Sequence, residues 1–279
     1  MINLPWFILL PSIIGAILAG FSCSTMGTFV VRMNLASIGV AMSHAAFAGS
    51  AFGVMINFDP TITAFIFSFG TAFLIGPLSE KARLQSNIVI GFLFSIMIAL
   101  AFIFLNYAPG EAAKGSALSI LWGSLIYINL HDILFLLFLS FLIMIFIIVF
   151  YKELLSLLFN RKLAEASGIN TIVFYFAILF LTGFAVSLSL KLVGGLLVFA
   201  LIINPTSTAY QFFYDFKKIL LFSPLIGIVS CLIGFYISLL VDFPIGASIV
   251  IVSAIFFAIA IIISPKRVRS SGKKKTYSS

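Results

Sequence analysis

Nine apolar runs, each about long enough to cross a bilayer, follow one another down this 279-residue chain with only short linkers between most of them. They lie near 6–28, 36–56, 60–78, 86–105, 131–150, 171–189, 193–212, 219–240 and 245–264. A hydrocarbon core about 30 Å thick is spanned by roughly 20 helical residues, and in lipid every backbone N–H and C=O must be satisfied within a helix or a closed barrel. A membrane barrel shows segments of about 10 residues that alternate apolar and polar. These runs are near-continuous, so helices are required. Composition agrees: 9% of residues are charged and the mean hydropathy is +1.26, whereas soluble chains carry about 25% charged residues. The expected fold is all-α, a polytopic integral membrane helical bundle of about nine transmembrane helices, or eight. One transmembrane domain covers 1–265, and a basic tail over 266–279 is expected to be disordered.

Met1 to Trp6 lack the basic flank of a secretory signal, so the first run reads as a retained helix. Cys23 and Cys231 both fall inside apolar runs; they read as small buried hydrophobes, the alternative being a metal-binding thiolate pair.

Positive charge by linker sets the orientation. Arg32; Lys81 and Arg83; Lys152, Arg161 and Lys162; Lys217 and Lys218; and Lys266, Arg267, Arg269, Lys273, Lys274 and Lys275 fall on alternate linkers and the tail, fourteen in all against only Lys114 and Lys191 opposite. Acids divide evenly between the two sides. The C-terminus is therefore expected in the cytoplasm and, with nine helices, the N-terminus outside. The net charge of +8 follows from this topology and implies no nucleic-acid partner; the Lys273–Lys275 run reads as a solvated tail near anionic lipid.

Three segments resist the simple pattern. Between Asn106 and Leu130 the stretch 117–127 is too apolar for an exposed loop and too short to span, which suits a re-entrant or interfacial helix, with Trp122 and Tyr127 as interfacial anchors. From Tyr151 to Gly168, charges alternate with Leu154, Leu157, Leu158 and Phe159, the pattern of one short amphipathic helix that closes on a glycine and serves as an interfacial prop or a docking surface. In the run ending Asn204-Pro205-Thr206-Ser207-Thr208, Pro205 removes a donor and should kink or unwind the segment, freeing a carbonyl near Leu201. The neighbouring Asn204 and Thr206 either cap that break or line a pathway.

His44 is the remaining anomaly, an imidazole near the middle of the run 36–56. Ionisable groups at membrane depth are costly and mark a pathway or site by default; the alternative is a histidine hydrogen-bonded to a neighbouring helix. Enzyme chemistry finds little support. The chain has no Gly-x-x-x-x-Gly-Lys-Ser/Thr phosphate loop and no His-Glu-x-x-His. Ser43 and His44 cannot act as nucleophile and base, because consecutive helical residues point about 100° apart. An intramembrane protease, with serine and histidine converging from different helices, stays as a rival.

These residues carry a resemblance. Met26-Gly27-Thr28-Phe29-Val30-Val31-Arg32-Met33-Asn34 with Ser37 to Gly49, then Val193-Gly194-Gly195 through Asn204-Pro205-Thr206-Ser207-Thr208-Ala209, then Asp242-Phe243-Pro244-Ile245-Gly246-Ala247, resemble in order and spacing the three signatures of the ABC-3 family. Those proteins are permease subunits of bacterial ABC importers for zinc, manganese or iron. The resemblance implies a subunit of the cytoplasmic membrane that is not itself an enzyme and holds no permanent cofactor, its substrate being the divalent metal ion. It implies a cytoplasmic ATPase, an extracytoplasmic metal-binding protein and a second permease subunit as partners. It makes Asn160, Arg161, Lys162, Glu165 and Gly168 part of the ATPase coupling segment, and His44 a metal ligand on the path. Family members commonly carry Asp four residues before the histidine, on the same helix face; here that position is Val40. Asp59 and Asp242, both near the outer face, are candidates for an outer funnel. A permease for a metal chelate or a cobalamin-like ligand, and an ion-coupled secondary transporter, are the alternative functions.

Overall fold

The computed structural model describes residues 6–110 and 129–264. Within them the chain forms eleven helices and no strand: α1 (Trp6–Arg32), α2 (Ile38–Met55), α3 (Pro60–Ala82), α4 (Ser86–Tyr107), α5 (Leu130–Val149), α6 (Tyr151–Phe159), α7 (Arg161–Ala166), α8 (Thr171–Val193), α9 (Gly195–Phe212), α10 (Phe216–Val241) and α11 (Ile245–Ile263). The expected interfacial segment at 117–127 and the tail 266–279 lie outside the described residues.

Eight helices among the described residues, α1 to α5, α8, α10 and α11, are long and apolar enough to cross a membrane. The ninth expected run is α9. It starts after a break at Gly194, where φ 94° and ψ 144° suit a residue without a side chain. Its second half carries Asn204, Thr206, Ser207 and Thr208, groups that need protein partners at membrane depth. Accordingly α9 is enclosed, packed against α1, α2, α8, α10 and α11. Burial sorts the other helices: the apolar windows of α1 and α2 are 72% and 83% buried, those of α4, α5 and α11 only 28% to 33%. A central group of α1, α2 and α9 is thus surrounded by helices with broad apolar faces turned outward.

Burial of apolar area drives little between helices in lipid, so close approach through small residues and hydrogen bonds does the holding. Gly27 shows the first device: a Cβ there would collide with the carbonyl oxygen of Ile202, so α1 and α9 touch backbone to backbone. Pro205 shows the second, and corrects the expectation of an unwound segment. Helix α9 runs unbroken through Pro205. The carbonyl that the missing amide leaves without a donor, that of Leu201, accepts a hydrogen bond from Ser24 Oγ of α1 at 3.1 Å. The Ser24 carbonyl in turn accepts from Ser223 Oγ of α10 at 2.9 Å and lies 3.2 Å from Thr206 Oγ1, which is 2.9 Å from Ser223 Oγ. The proline's defect is satisfied by a buried three-helix knot, and the helix has no reason to open.

The segment after α5 also departs from expectation. One amphipathic helix was expected; there are two, α6 and α7, separated by Asn160 in extended conformation (φ −159°, ψ 111°). Asn160 Oδ1 accepts from the amides of Lys162 and Leu163 at 3.0 and 3.3 Å, so the residue that ends α6 starts α7. Gly168, at φ +82°, closes the unit.

Candidate functional site

Helix α2 carries His44, and its sequence explains its position. Ala41, Ala45, Ala46, Ala48, Gly49, Ala51 and Gly53 are all buried, and a chain this thin in side chains lets α3, α4 and α9 close around it. His44 is the seventh of 18 residues, about 9 Å from the start of α2 at 1.5 Å per residue. Its ring lies edge-on to Phe94 of α4, centroids 4.7 Å apart and planes at 78°. Only 8% of the residue is exposed, and Nδ1 is buried without a hydrogen-bond partner among the described residues. A buried polar atom left unbonded costs about 1–3 kcal/mol and calls for an explanation. On this nitrogen the hydrogen-bonded histidine weighed above lacks its bond.

One turn earlier Val40 is half-buried and offers no donor. No group of three or more His, Cys, Asp or Glu is placed to hold a metal among the described residues. Cys23 and Cys231 are free, buried thiols, Cys23 donating to Ser189 Oγ at 3.3 Å; the small-hydrophobe reading fits their surroundings. Sequence reasoning missed three further buried hydroxyls without partners among the described residues, Ser50 of α2, Ser68 of α3 and Ser187 of α8. Serines inside apolar runs were the available signal.

The other expected site residues are dispersed. Asp59 is exposed at the α2–α3 turn, its Oδ1 accepting from the amide of Thr61 at 2.7 Å. Asp242 is exposed at the α10–α11 turn in left-handed conformation (φ 54°). Asn204 donates from Nδ2 to Ser253 Oγ of α11 at 3.0 Å, and Thr206 is fully buried in the three-helix knot. Both side chains tie α9 to its neighbours.

At the opposite end of the bundle from Asp59 and Asp242 stands the α6–α7 unit. Arg161 Nε donates to Glu165 Oε1 at 3.1 Å and to Thr171 Oγ1 at 3.2 Å, while Thr171 Oγ1 donates to the same Glu165 oxygen. The Thr171 hydroxyl first, and Arg161 second, hold the Glu165 carboxyl below its ordinary value. This triad fixes α7 to the start of α8. Lys162 contributes its backbone amide to the Asn160 cap. Between α6 and α7 opens a cavity of about 370 Å³ lined by Leu155, Ser156, Phe159, Leu163, Ala164 and Ser167. Phe159 is 80% exposed and Leu163 58%. The result is an apolar notch on a pinned scaffold.

The profile of the ABC 3 transport family matches residues 6–264. The chain belongs to the ABC 3 transport family. It is a multi-pass membrane protein and a transport permease subunit, not an enzyme. Among its relatives, the manganese transport system membrane protein MntC of Listeria innocua is 31% identical over 265 residues, covering 95% of this chain and 93% of that protein. The chelated iron transport system membrane protein YfeD of Yersinia pestis is 26% identical, covering 90% and 84%. The solved structure of PsaBC from Streptococcus pneumoniae in complex with Fab superposes with a TM-score of 0.84 at 26% identity, covering 96% of each chain. That structure thus shares the overall fold described above.

Proposed function

We propose that this chain is the membrane-spanning permease of an ABC importer that moves a divalent transition-metal ion, manganese first among zinc, manganese and iron, across the bacterial cytoplasmic membrane. The observation that carries the reading is the buried Nδ1 of His44, without a hydrogen-bond partner among the described residues, in the most enclosed of the described spanning helices. A transported ion must bind weakly enough to leave, and one imidazole per subunit, doubled by a second permease subunit and completed by water or carbonyl oxygens, meets that requirement without a carboxylate at Val40. Relatives named for manganese transport in Listeria support the choice of ion. The basic linkers put α6 and α7 and the C-terminus in the cytoplasm. The α6–α7 notch with Asn160, Arg161, Lys162, Glu165 and Gly168 then receives the separate ATPase that supplies the energy. Asp59 and Asp242 face the other side, as an outer funnel for ions delivered by an extracytoplasmic metal-binding protein. Asn204 and Thr206 keep α9 seated.

Uptake of radiolabelled manganese at limiting concentration, by cells carrying His44→Ala, is the test. Transport should fall at least about tenfold, the scale on which even outer-shell changes reduce metal affinity or activity; unchanged uptake at equal membrane abundance would remove His44 from the path. The name of the Yersinia pestis relative supports a second reading, a chelated iron substrate. Competition by an iron chelate but not by free manganese would favour it.

A further inference from the structure

Where α1, α4, α6, α7 and α8 meet, a cavity of about 330 Å³ is lined by the polar residues Arg32, Ser86, Asn160, Arg161 and Tyr175 together with the apolar Met33, Leu35, Leu157, Leu158 and Phe159. Its volume falls at the low end of the roughly 300–1,000 Å³ that small-ligand sites occupy. Two arginines and no carboxylate are among its lining residues. Arg161 is held by its Nε, bonded to Glu165 and Thr171, which leaves the Nη fork to point elsewhere. Arg32, exposed at the end of α1, has no carboxylate within 4.0 Å among the described residues, Glu165 being taken by Arg161; Arg32 also lines a neighbouring cavity that includes Asp215. Ser86 opens the 22-residue helix α4, whose first amides receive no side-chain cap from Gln85; such an end carries partial positive charge. A smaller cavity of about 80 Å³ continues past Ser86, Arg161 and Tyr175 along α3.

We infer that this cavity is a binding site for a phosphate group, supplied by the headgroup of an anionic lipid in the leaflet that meets the basic face. Paired guanidiniums match phosphate oxygens in fork geometry, and basic pockets between membrane helices take anionic headgroups. The apolar part of the lining tells the sources apart: free phosphate gains nothing from Met33, Leu157 and Leu158, whereas a lipid can lay its glycerol and upper acyl carbons along them. The occupied site braces α6 and α7 against α1 and α4, from the bundle side of the notch. The inference needs the bundle in a membrane but not the metal reading, and His44→Ala leaves it untouched.

The test is native mass spectrometry of the full-length chain in neutral detergent with added phosphatidylglycerol or phosphatidylcholine. Phosphatidylglycerol adducts should persist and drop about fivefold in Arg32→Gln, since one basic residue at an anionic surface is worth about 1 kcal/mol. Arg32→Gln disturbs no described hydrogen bond, and the double variant with Arg161→Gln should drop further. Lys217→Gln/Lys218→Gln, with charges removed from the same face, should keep the adduct. Displacement by millimolar inorganic phosphate would uphold the phosphate site and give it to the free ion. Equal retention of both lipids, or equal loss in the lysine variant, overturns the site.

Discussion

Ser24→Ala should destabilise the bundle, and Pro205→Ala should rescue it. The alanine at 24 removes the side-chain donor to the Leu201 carbonyl at the proline, a 3.1 Å bond in a fully buried place. Leaving such a group unbonded costs about 1–3 kcal/mol, and hydrogen bonds between membrane helices average about 0.6 with a maximum near 1.7 kcal/mol. About 1–2 kcal/mol is therefore expected for Ser24→Ala. Pro205→Ala restores the amide that reaches back one turn to Leu201 and relieves the ring's clash with that turn, so alone it should cost nothing. In the double variant the restored amide does the work of Ser24, and the coupling between the two sites should be about 1 kcal/mol. Thermal unfolding of the full chain in detergent, followed by far-ultraviolet circular dichroism, reads this as a lowered midpoint for Ser24→Ala and a recovered one for Ser24→Ala/Pro205→Ala. A double variant as unstable as Ser24→Ala would refute the account of how α9 tolerates its proline.

Two further predictions concern the α6–α7 unit. Phe159→Asp puts a charge on a lip that is 80% exposed, so the chain should reach the membrane at normal abundance while co-purification of the ATPase falls by about tenfold or more, as when an apolar anchor is lost from an interface centre; undiminished co-purification would move the docking surface elsewhere. Glu165 is held below its ordinary value by Thr171 and then Arg161; its contribution to pinning α7 is present above the unfolded carboxylate value and is lost as pH falls through the depressed folded value. Hydrogen exchange of residues 161–167, corrected for intrinsic rates, should quicken only at acid pH in the wild type and at all pH values in Glu165→Gln; matching profiles would show that the triad does not hold α7.

Most of the bundle could be read from residues because the bilayer demands satisfied backbone groups, and a run of about 20 apolar residues has one way to provide them. His44 was legible for the same reason, as a cost without an apparent return. The short helices were less so. Asn160 looked like one polar residue in an amphipathic stretch, and only its extended backbone and its bonds to two amides reveal a boundary. Phe159 and Leu163 carry the right apolar pattern, but whether such residues face lipid, core or an open notch depends on how α6 and α7 fold on each other.

The helical class and the imidazole at membrane depth were thus determined by the sequence, since each follows from local free energies of transfer. What only the tertiary structure decided was the fate of the polar atoms. Leu201's carbonyl finds Ser24 across 177 positions of chain, and Thr206 finds Ser223 on a third helix, while Nδ1 of His44 finds no partner among the described residues. Hydrogen bonds between helices depend on sub-ångström approach, set here by glycines such as Gly27 where two backbones meet, and that approach is a property of the packed bundle and of no single segment.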